Sequence, residues 1–259
     1  MMAGIAATGT GAVVIPDISG SPRAEYAFSD DFNGPAGSAP DPSRWTYDIG
    51  GGGWGNDELE IYTDSRANSF LDGQSHLVIR ATKVVTWKGG TPRTTYYSAR
   101  LKTQNSFSQY QGTLEARIKL NPRAGLWPAW WMVGKNIGQV GWPACGEVDM
   151  LENYGNYLVQ TSVHTPNRTD TGIFTKYSQI PVDDGWHVWR VVWNNAGFRF
   201  YRDLHLYLNV APGNLQDWCF SSGVPMFMLL NMAVGGTVGT PPPSTKFPVD
   251  MLVDYVRVW

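Results

Sequence analysis

Short segments of strict two-residue alternation recur along this chain, and they limit its fold more than any other feature. Residues 113–120 alternate apolar and polar side chains, which predicts a strand with one buried face. Six further segments give the same prediction: 77–81, 157–164, 188–193, 198–202, 226–232 and 252–259. Turn clusters separate them, and 29 glycines and 17 prolines interrupt the chain too often for a helical bundle. The pattern predicts an all-β fold, a sandwich of two sheets.

The length and charge of the chain narrow its class further. A chain of 259 residues fits one all-β domain, and no linker composition divides it, so we expect a single domain over residues 25–259. The net charge of −2 excludes an electrostatic nucleic-acid binder and a polybasic membrane surface. No stretch reaches the ~18 apolar residues that span a bilayer, so we expect no membrane insertion. We expect a monomer.

The cellular compartment of the protein is judged from two features of the sequence: the N-terminal segment, residues 1–24, and the two cysteines. Residues 1–20 are small and apolar, with no charge before Asp17. They resemble the apolar core and tail of a secretory signal without its basic front end, which predicts a secreted or extracytoplasmic protein. An ordinary N-terminal segment is the alternative. Cys145 and Cys219 are compatible with one disulfide or with two buried thiols, and their spacing does not decide between them.

Three acids, Glu147, Asp149 and Glu152, lie within six residues of a segment that otherwise has the pattern of a strand. Strict alternation would turn Glu152 into the core, where an unpaired carboxylate costs several kcal/mol. One extra residue at Met150–Leu151, a β-bulge, returns Glu152 to the face of the other two acids. The sequence therefore predicts three carboxylates in a row on an open sheet face.

Such a row of acids suits the cleavage of glycosidic bonds. At ~3.3 Å per residue the Cα atoms of Glu147 and Glu152 lie roughly 13 Å apart. Their side chains can then close to about 5–6 Å, the separation of a retaining nucleophile and acid/base pair. Crowding also raises at least one carboxyl pKa, so that one group holds a proton while another attacks. A solvated face and a cation site are the alternatives.

Tryptophans close to the acids favour a carbohydrate site. Alternation places Trp127 and Trp131 on one face and Trp130 on the other, and Trp142 lies just before the acids. Flat aromatic faces pack against the apolar face of a sugar ring. A tryptophan in an all-β protein can equally belong to the core, and we expect at least two of these in a cleft.

On these residues the chain resembles glycoside hydrolase family 16, in its laminarinase (endo-1,3-β-glucanase) branch. The resemblance rests on an ordered series of motifs: GWGNDELEIYT at 53–63, SARLKT at 98–103, YQGTLEAR at 110–117, GLWPAWWM at 125–132, GWPACGEVDMLE at 141–152, LNMAVGG at 230–236 and VDYVRV at 253–258. It implies a concanavalin A-like jelly roll with a substrate cleft on its concave face. Glu147 is then the nucleophile, Glu152 the general acid/base and Asp149 a helper of Glu147. The Glu-x-Asp-x-x-Glu spacing is the bulged form found in laminarinases.

The resemblance also implies sugar ligands outside the acid motif. Asn56 matches the segment that lines the non-reducing-side subsites, and Asn231 matches a strand that crosses the cleft floor. Arg100 matches a residue that reaches sugar hydroxyls, with a surface ion pair as the alternative. His164 matches a histidine near the acid/base on the leaving-group side, with a structural role as the alternative.

A structural calcium is a further implication of the resemblance. The matching positions are Asp31, Gly73 and Asp254, on the side of the sandwich away from the chemistry. Oxygen ligands from loop carbonyls and a carboxylate suit a hard cation, which would tie the termini together. Catalysis itself needs no cofactor.

Together these features predict a retaining endo-β-1,3-glucanase that acts on laminarin-type polysaccharide. Residues 235–243 read GGTVGTPPP, where laminarinases often carry a tryptophan at the cleft rim. Because of that departure, the identity of the polysaccharide stays open, with a mixed-linkage glucan or a galactan such as agar as alternatives. A non-catalytic glucan-binding protein on the same scaffold is a third possibility, although such proteins usually lose one of the two glutamates.

Overall fold

A computed structural model describes residues 25–166 and 173–259, so the segment 1–24 lies outside the described residues. Seventeen β-strands are formed within these ranges: β1 Phe28–Asp30, β2 Thr46–Asp48, β3 Glu60–Tyr62, β4 Ser69–Leu71, β5 Leu77–Lys88, β6 Thr91–Ser98, β7 Arg100–Lys102, β8 Gly112–Lys119, β9 Leu126–Gly134, β10 Glu147–Asn153, β11 Leu158–Pro166, β12 Ile173–Pro181, β13 Trp186–Asn194, β14 Gly197–Arg202, β15 His205–Val210, β16 Met226–Val234 and β17 Val249–Val258. The helices are short: α1 Ile137–Val140 and two 3₁₀ turns, Pro212–Asn214 and Gly236–Val238. All seven predicted strands are confirmed.

The strands form two sheets, which confirms the predicted sandwich. A ten-stranded sheet has the order β15-β14-β13-β8-β17-β5-β6-β3, with β1 beside β17 and β4 beside β5. A seven-stranded sheet, here the cleft sheet, has the order β12-β11-β10-β9-β16-β7-β2. Neighbouring strands are antiparallel except for β3 and β6, which are parallel.

The core lies between the sheets and is filled by the alternate residues that the sequence predicts. On β8, Leu114, Ala116 and Ile118 are almost fully buried. The cleft sheet contributes Trp130 and Met132 from β9 to the same apolar cluster. Because successive side chains of a strand point to opposite faces, the alternate residues of β9 lie on the outer face of the cleft sheet: Trp127, Ala129, Trp131 and Val133.

Two smaller questions from the sequence are answered by the structure. Cys145 and Cys219 are free thiols and not a disulfide, the first buried and the second partly buried. No helix among the described residues is long and apolar enough to cross a membrane.

Candidate active site

A cleft of about 300 Å³ lies on the outer face of the cleft sheet. Strands β7, β9, β10 and β16 form its floor, and the loop before β3 forms one wall. It is lined by Trp54, Gly55, Asn56, Glu58, Arg100, Trp127, Ala129, Trp131, Val133, Ile137, Trp142, Glu147, Asp149, Glu152, Asn231 and Ala233. The cleft therefore brings together nine of the ten residues expected to act on the substrate or bind it, and the tenth, His164, lies beside it.

A β-bulge in β10 turns the three acids to the cleft, as the sequence predicts. Toward β9, Asp149 pairs with Trp131 and Leu151 with Trp130, so that the register slips by one residue between them. The register toward β11 shifts at the same place. Met150 and Leu151 are both buried in the core as a consequence. The extra residue thus places Glu152 on the cleft face together with Asp149.

Glu152 is held by donors from three sides. The indole Nε1 of Trp127 donates to its Oε1 at 3.0 Å, and the hydroxyl of Tyr154 donates to Oε2 at 3.4 Å. Ser162 Oγ lies 3.5 Å from the same Oε2. Burial, reinforced by the charge of Asp149, raises the pKa of Glu152 to about 8. The group therefore carries a proton at neutral pH, as a general acid must.

Glu147, which is partly exposed, and Asp149, which is buried, form a carboxyl pair beside His164. Burial raises the pKa of Glu147 well above its ordinary value, and the charge of Asp149 acts in the same direction. His164 Nε2 lies 2.9 Å from Asp149 Oδ2 and 3.9 Å from Glu147 Oε1, and its charge would lower the pKa of Glu147. One oxygen of each carboxyl lies within 4.8 Å of the other, so the pair shares a proton, which leaves one of them ionised to act as a nucleophile.

The resemblance implies that His164 lies near Glu152, on the leaving-group side. In the structure His164 pairs across the strands with Glu147, and its Nε2 contacts Asp149. Its Nδ1 lies 2.8 Å from Thr175 Oγ1, which fixes the ring. It is therefore an electrostatic partner of the Glu147–Asp149 pair, and its charge also lowers the pKa of Glu152.

Aromatic side chains wall the cleft in the predicted way. Trp127, Trp131 and Trp142 line it, whereas Trp130 is fully buried in the core. Trp142 is 48% exposed, so a flat ring is open to a ligand above the acids. Trp54 is a further wall residue that the sequence analysis did not single out, although it stands inside the GWGNDEL motif.

Arg100 lines the cleft and also forms an ion pair. Its Nε lies 3.0 Å from Asp48 Oδ2, so it forms the ion pair of the alternative reading. Its guanidinium carbon also lies 5.0 Å from the ring centroid of Trp54 and 4.8 Å from that of Trp131. Cation–π contact on both sides fixes the two indoles in place as well as the arginine itself.

Asn231 stands at the centre of a hydrogen-bonded chain under the cleft. Trp131 Nε1 donates to its Oδ1 at 2.8 Å, and its own Nδ2 donates to the hydroxyl of Tyr62 at 3.0 Å. Tyr62 donates in turn to Glu58 Oε2 at 3.0 Å, and Asn56 Nδ2 donates to the other oxygen of Glu58 at 3.0 Å. Because both amides are bound within the protein, they position Trp131 and the loop wall in addition to facing the cleft.

Glu58 and Glu60 form a second buried acid pair that the sequence analysis missed. Burial, followed by the charge of Glu58, raises the pKa of Glu60 to about 8. The backbone N–H of Val234 donates to Glu60 Oε2 at 2.6 Å, while Oε1 is buried without a donor. The sequence pattern indicated the opposite, because alternation of these acids with Leu59 and Ile61 favours burial of the two apolar side chains, and both of those are exposed.

The predicted calcium residues lie apart from the cleft and are engaged in ion pairs. Asp254 on β17 accepts from Arg117 NH1 at 2.6 Å, and Asp31 accepts from Arg257 NH2 at 2.8 Å. Gly73 lies in the turn between β4 and β5. The predicted cation would take backbone carbonyls at Asp31 and Gly73 and the carboxylate of Asp254, and in this structure that carboxylate accepts from Arg117. Among the described residues, the group whose side chains are close enough to hold a metal ion is Glu147, Asp149 and His164.

Comparisons with known proteins agree with this geometry. The chain is 33% identical to a β-glucanase of Rhodothermus marinus over 257 residues, covering 92% of this chain and 86% of the relative. A solved structure of the catalytic domain of an endo-1,3-β-glucanase (laminarinase) from Thermotoga petrophila superposes with a TM-score of 0.77 at 35% identity, over 90% of this chain and 96% of that one. A keratan-sulfate endo-1,4-β-galactosidase of Sphingobacterium multivorum is 32% identical over 245 residues, covering 91% of this chain and 55% of the relative.

The family model for glycosyl hydrolases family 16 matches residues 55–256, a range that contains the acids, the tryptophans and the loop wall. With the bulged acid strand and the aromatic cleft, this match makes the protein a glycoside hydrolase that belongs to family 16.

Proposed function

We propose that the protein is a retaining endo-β-1,3-glucanase. The observation that carries the proposal is the bulge in β10, which turns Glu147 and Glu152 to one cleft while their pKa values are raised. A protonated carboxyl and an ionisable one on the same face are the two groups that double displacement needs.

In the proposed mechanism, Glu147 attacks the anomeric carbon while Glu152 gives its proton to the departing glycosidic oxygen. The covalent glycosyl–enzyme keeps the glycosyl half of the substrate in the cleft. Glu152, now ionised, takes a proton from water, which attacks the anomeric carbon and releases Glu147. The charge of His164 favours the carboxylate form of Glu147, whereas a charged Asp149 disfavours it. Asp149 must therefore hold the shared proton when Glu147 attacks.

The assignment of the two glutamates is testable with small variants and azide. Glu147→Gln and Glu152→Gln should each lower kcat at least 10³-fold and leave the unfolding temperature within a few degrees, since glutamine is isosteric. For Glu147→Gly, azide should restore turnover of an activated glycoside and give the α-glycosyl azide. For Glu152→Gly it should give the β-glycosyl azide. Near wild-type turnover by either glutamine variant, or the opposite anomers, contradicts the assignment.

The polysaccharide is proposed on the resemblance to laminarinases and on the open, aromatic-walled cleft. Two observations favour a galactan as the rival substrate. Residues 235–243 lack the cleft-rim tryptophan, and one relative of this chain is a keratan-sulfate endo-1,4-β-galactosidase. Release of reducing sugar from laminarin, lichenan, agarose and keratan sulfate separates these substrates. Binding to laminarin without any release would favour the non-catalytic alternative.

We also propose that the protein is secreted and acts as a monomer, on the grounds given by its sequence. The structural calcium stays a prediction. Thermal unfolding with calcium and with EDTA distinguishes a bound cation from arginine pairs alone at Asp31 and Asp254.

A further inference from the structure

Cross-strand rows lead from the catalytic acids to the edge strand β12. Asp149 on β10 pairs with Ser162 on β11, and Ser162 pairs with Tyr177 on β12. Side chains that pair across neighbouring strands share a face of the sheet. Tyr177 therefore projects from the same face as Asp149.

Hydrogen bonds on both sides of Tyr177 support this orientation. Thr175 Oγ1 lies 2.8 Å from His164 Nδ1, and Gln179 Nε2 donates to Gln160 Oε1 at 3.2 Å. Thr175 and Gln179 are the neighbours of Tyr177 at a spacing of two, so all three side chains share one face. That face continues the cleft floor beyond the acids.

The ring of Tyr177 is 58% exposed, which leaves it open to a ligand. Two strand spacings separate it from Asp149, a distance of roughly 10 Å. A sugar ring bound at the acids thus leaves the next part of the polysaccharide above β11 and β12. Gln179, beside Tyr177, offers an amide to sugar hydroxyls there.

We propose that Tyr177 and Gln179 form a sugar-binding subsite on the leaving-group side of the cleft. The inference rests on the proposed function, because it takes the substrate to be a β-glucan that is cut internally. Tyr177 supplies a flat surface for the apolar face of one sugar ring. Gln179 positions that ring through its hydroxyls.

The shape of the cleft indicates that this subsite binds the leaving-group half of the substrate. The cleft volume and its walls, Trp54, Trp127 and Trp131, lie over β7, β9 and β16. That side suits the glycosyl half, which stays bound through the covalent intermediate. The departing half must then leave across β11 and β12, over Tyr177.

Two substrates distinguish a loss of binding at this subsite from a loss of the catalytic steps. A 4-nitrophenyl laminaribioside has a small aryl leaving group that does not reach β12, so Tyr177→Ala should hydrolyse it like the wild type. On laminarin, the same variant should lose roughly 5- to 20-fold in kcat/KM, as expected for the loss of one stacked ring. Transfer of the glycosyl group to added laminaribiose should fall by a similar factor, because the acceptor occupies the same subsite.

Control variants keep the outcomes distinct. Tyr177→Phe, which retains the ring, should recover most of the laminarin activity, and Gln179→Ala should lose part of it. Ser178→Ala, on the same strand but the opposite face, should behave like the wild type. Unchanged laminarin kcat/KM and unchanged transfer in Tyr177→Ala would overturn the subsite. If wild-type protein cleaved neither substrate, the proposed function would fail instead.

Discussion

At the residue scale, the balance of charge around Glu152 decides when it carries a proton. Burial and Asp149 raise its pKa, while His164, Trp127 and Tyr154 lower it. The sequence predicts the raised carboxyl pKa, because three acids within six residues cannot all ionise when they share a face. It could not predict the donors, since Tyr154 and Trp127 reach Glu152 only after the bulge has turned it.

Trp127→Phe tests this balance directly. The change removes the indole donor that holds Glu152 Oε1 at 3.0 Å but keeps an aromatic ring in the cleft wall. A lost donor to the carboxylate disfavours its charged form, so the pKa of Glu152 should rise further. We expect the basic limb of the kcat/KM profile to move to higher pH. Tyr177→Phe is the control, and a limb that moved to lower pH would contradict this role of Trp127.

At the scale of one element, β10 departs from regular geometry, and the departure was readable from the sequence. A regular strand would have buried Glu152 alone, and the cost of that burial is what predicts the bulge. The wall formed by the Glu58–Tyr62–Asn231 chain was not readable in this way. It joins residues 62 and 231 across two strands that are distant in the sequence, and no local pattern specifies that pairing.

Leu151→Ala measures how much the side chain buried at the bulge contributes to the free energy of unfolding. Leu151 is fully buried at the bulge, together with Met150. Truncation leaves a cavity, so we expect a loss of about 2–5 kcal/mol in the free energy of unfolding, measured by urea denaturation. Leu206→Ala on β15 is the matched control, because Leu206 is 53% exposed and should cost about 0.5 kcal/mol or less. Equal costs for the two variants would mean that the bulge does not pack into the core.

At the scale of the whole molecule, the fold class follows from alternation and turns, but the order of strands does not. Strand β16 lies beside β9, almost a hundred residues away, and so delivers Asn231 to the cleft floor. The sequence suggested this position only through the resemblance to a known family. One consequence of this arrangement concerns the stability of the whole molecule. Acids whose pKa values are raised lie on both sides of the cleft floor.

Stability should therefore fall as the pH rises. The pKa values of Glu60 and Glu152 are raised from 4.5 to about 8, so the folded state binds more protons than the unfolded state between those values. By linkage, the free energy of unfolding decreases with increasing pH in that window. We expect the unfolding temperature to fall from pH 5 to pH 8, as measured by calorimetry.

Glu60→Gln isolates one contribution to this slope. A neutral amide at position 60 cannot ionise beside Glu58, so the variant should lose less stability than the wild type over the same pH range. Asp184→Asn, a change at an exposed site, should keep the wild-type slope. Parallel slopes for Glu60→Gln and the wild type would exclude an ionising Glu60.

Both glutamates of the proposed reaction are borne by one strand. The distance between them is consequently set by a few peptide units of that strand. It does not depend on movements of the loops and edge strands. This arrangement separates substrate binding from cleavage. The loops and edge strands can open to admit a stiff polysaccharide, or close around it, without changing the distance between the two glutamates that cleave it.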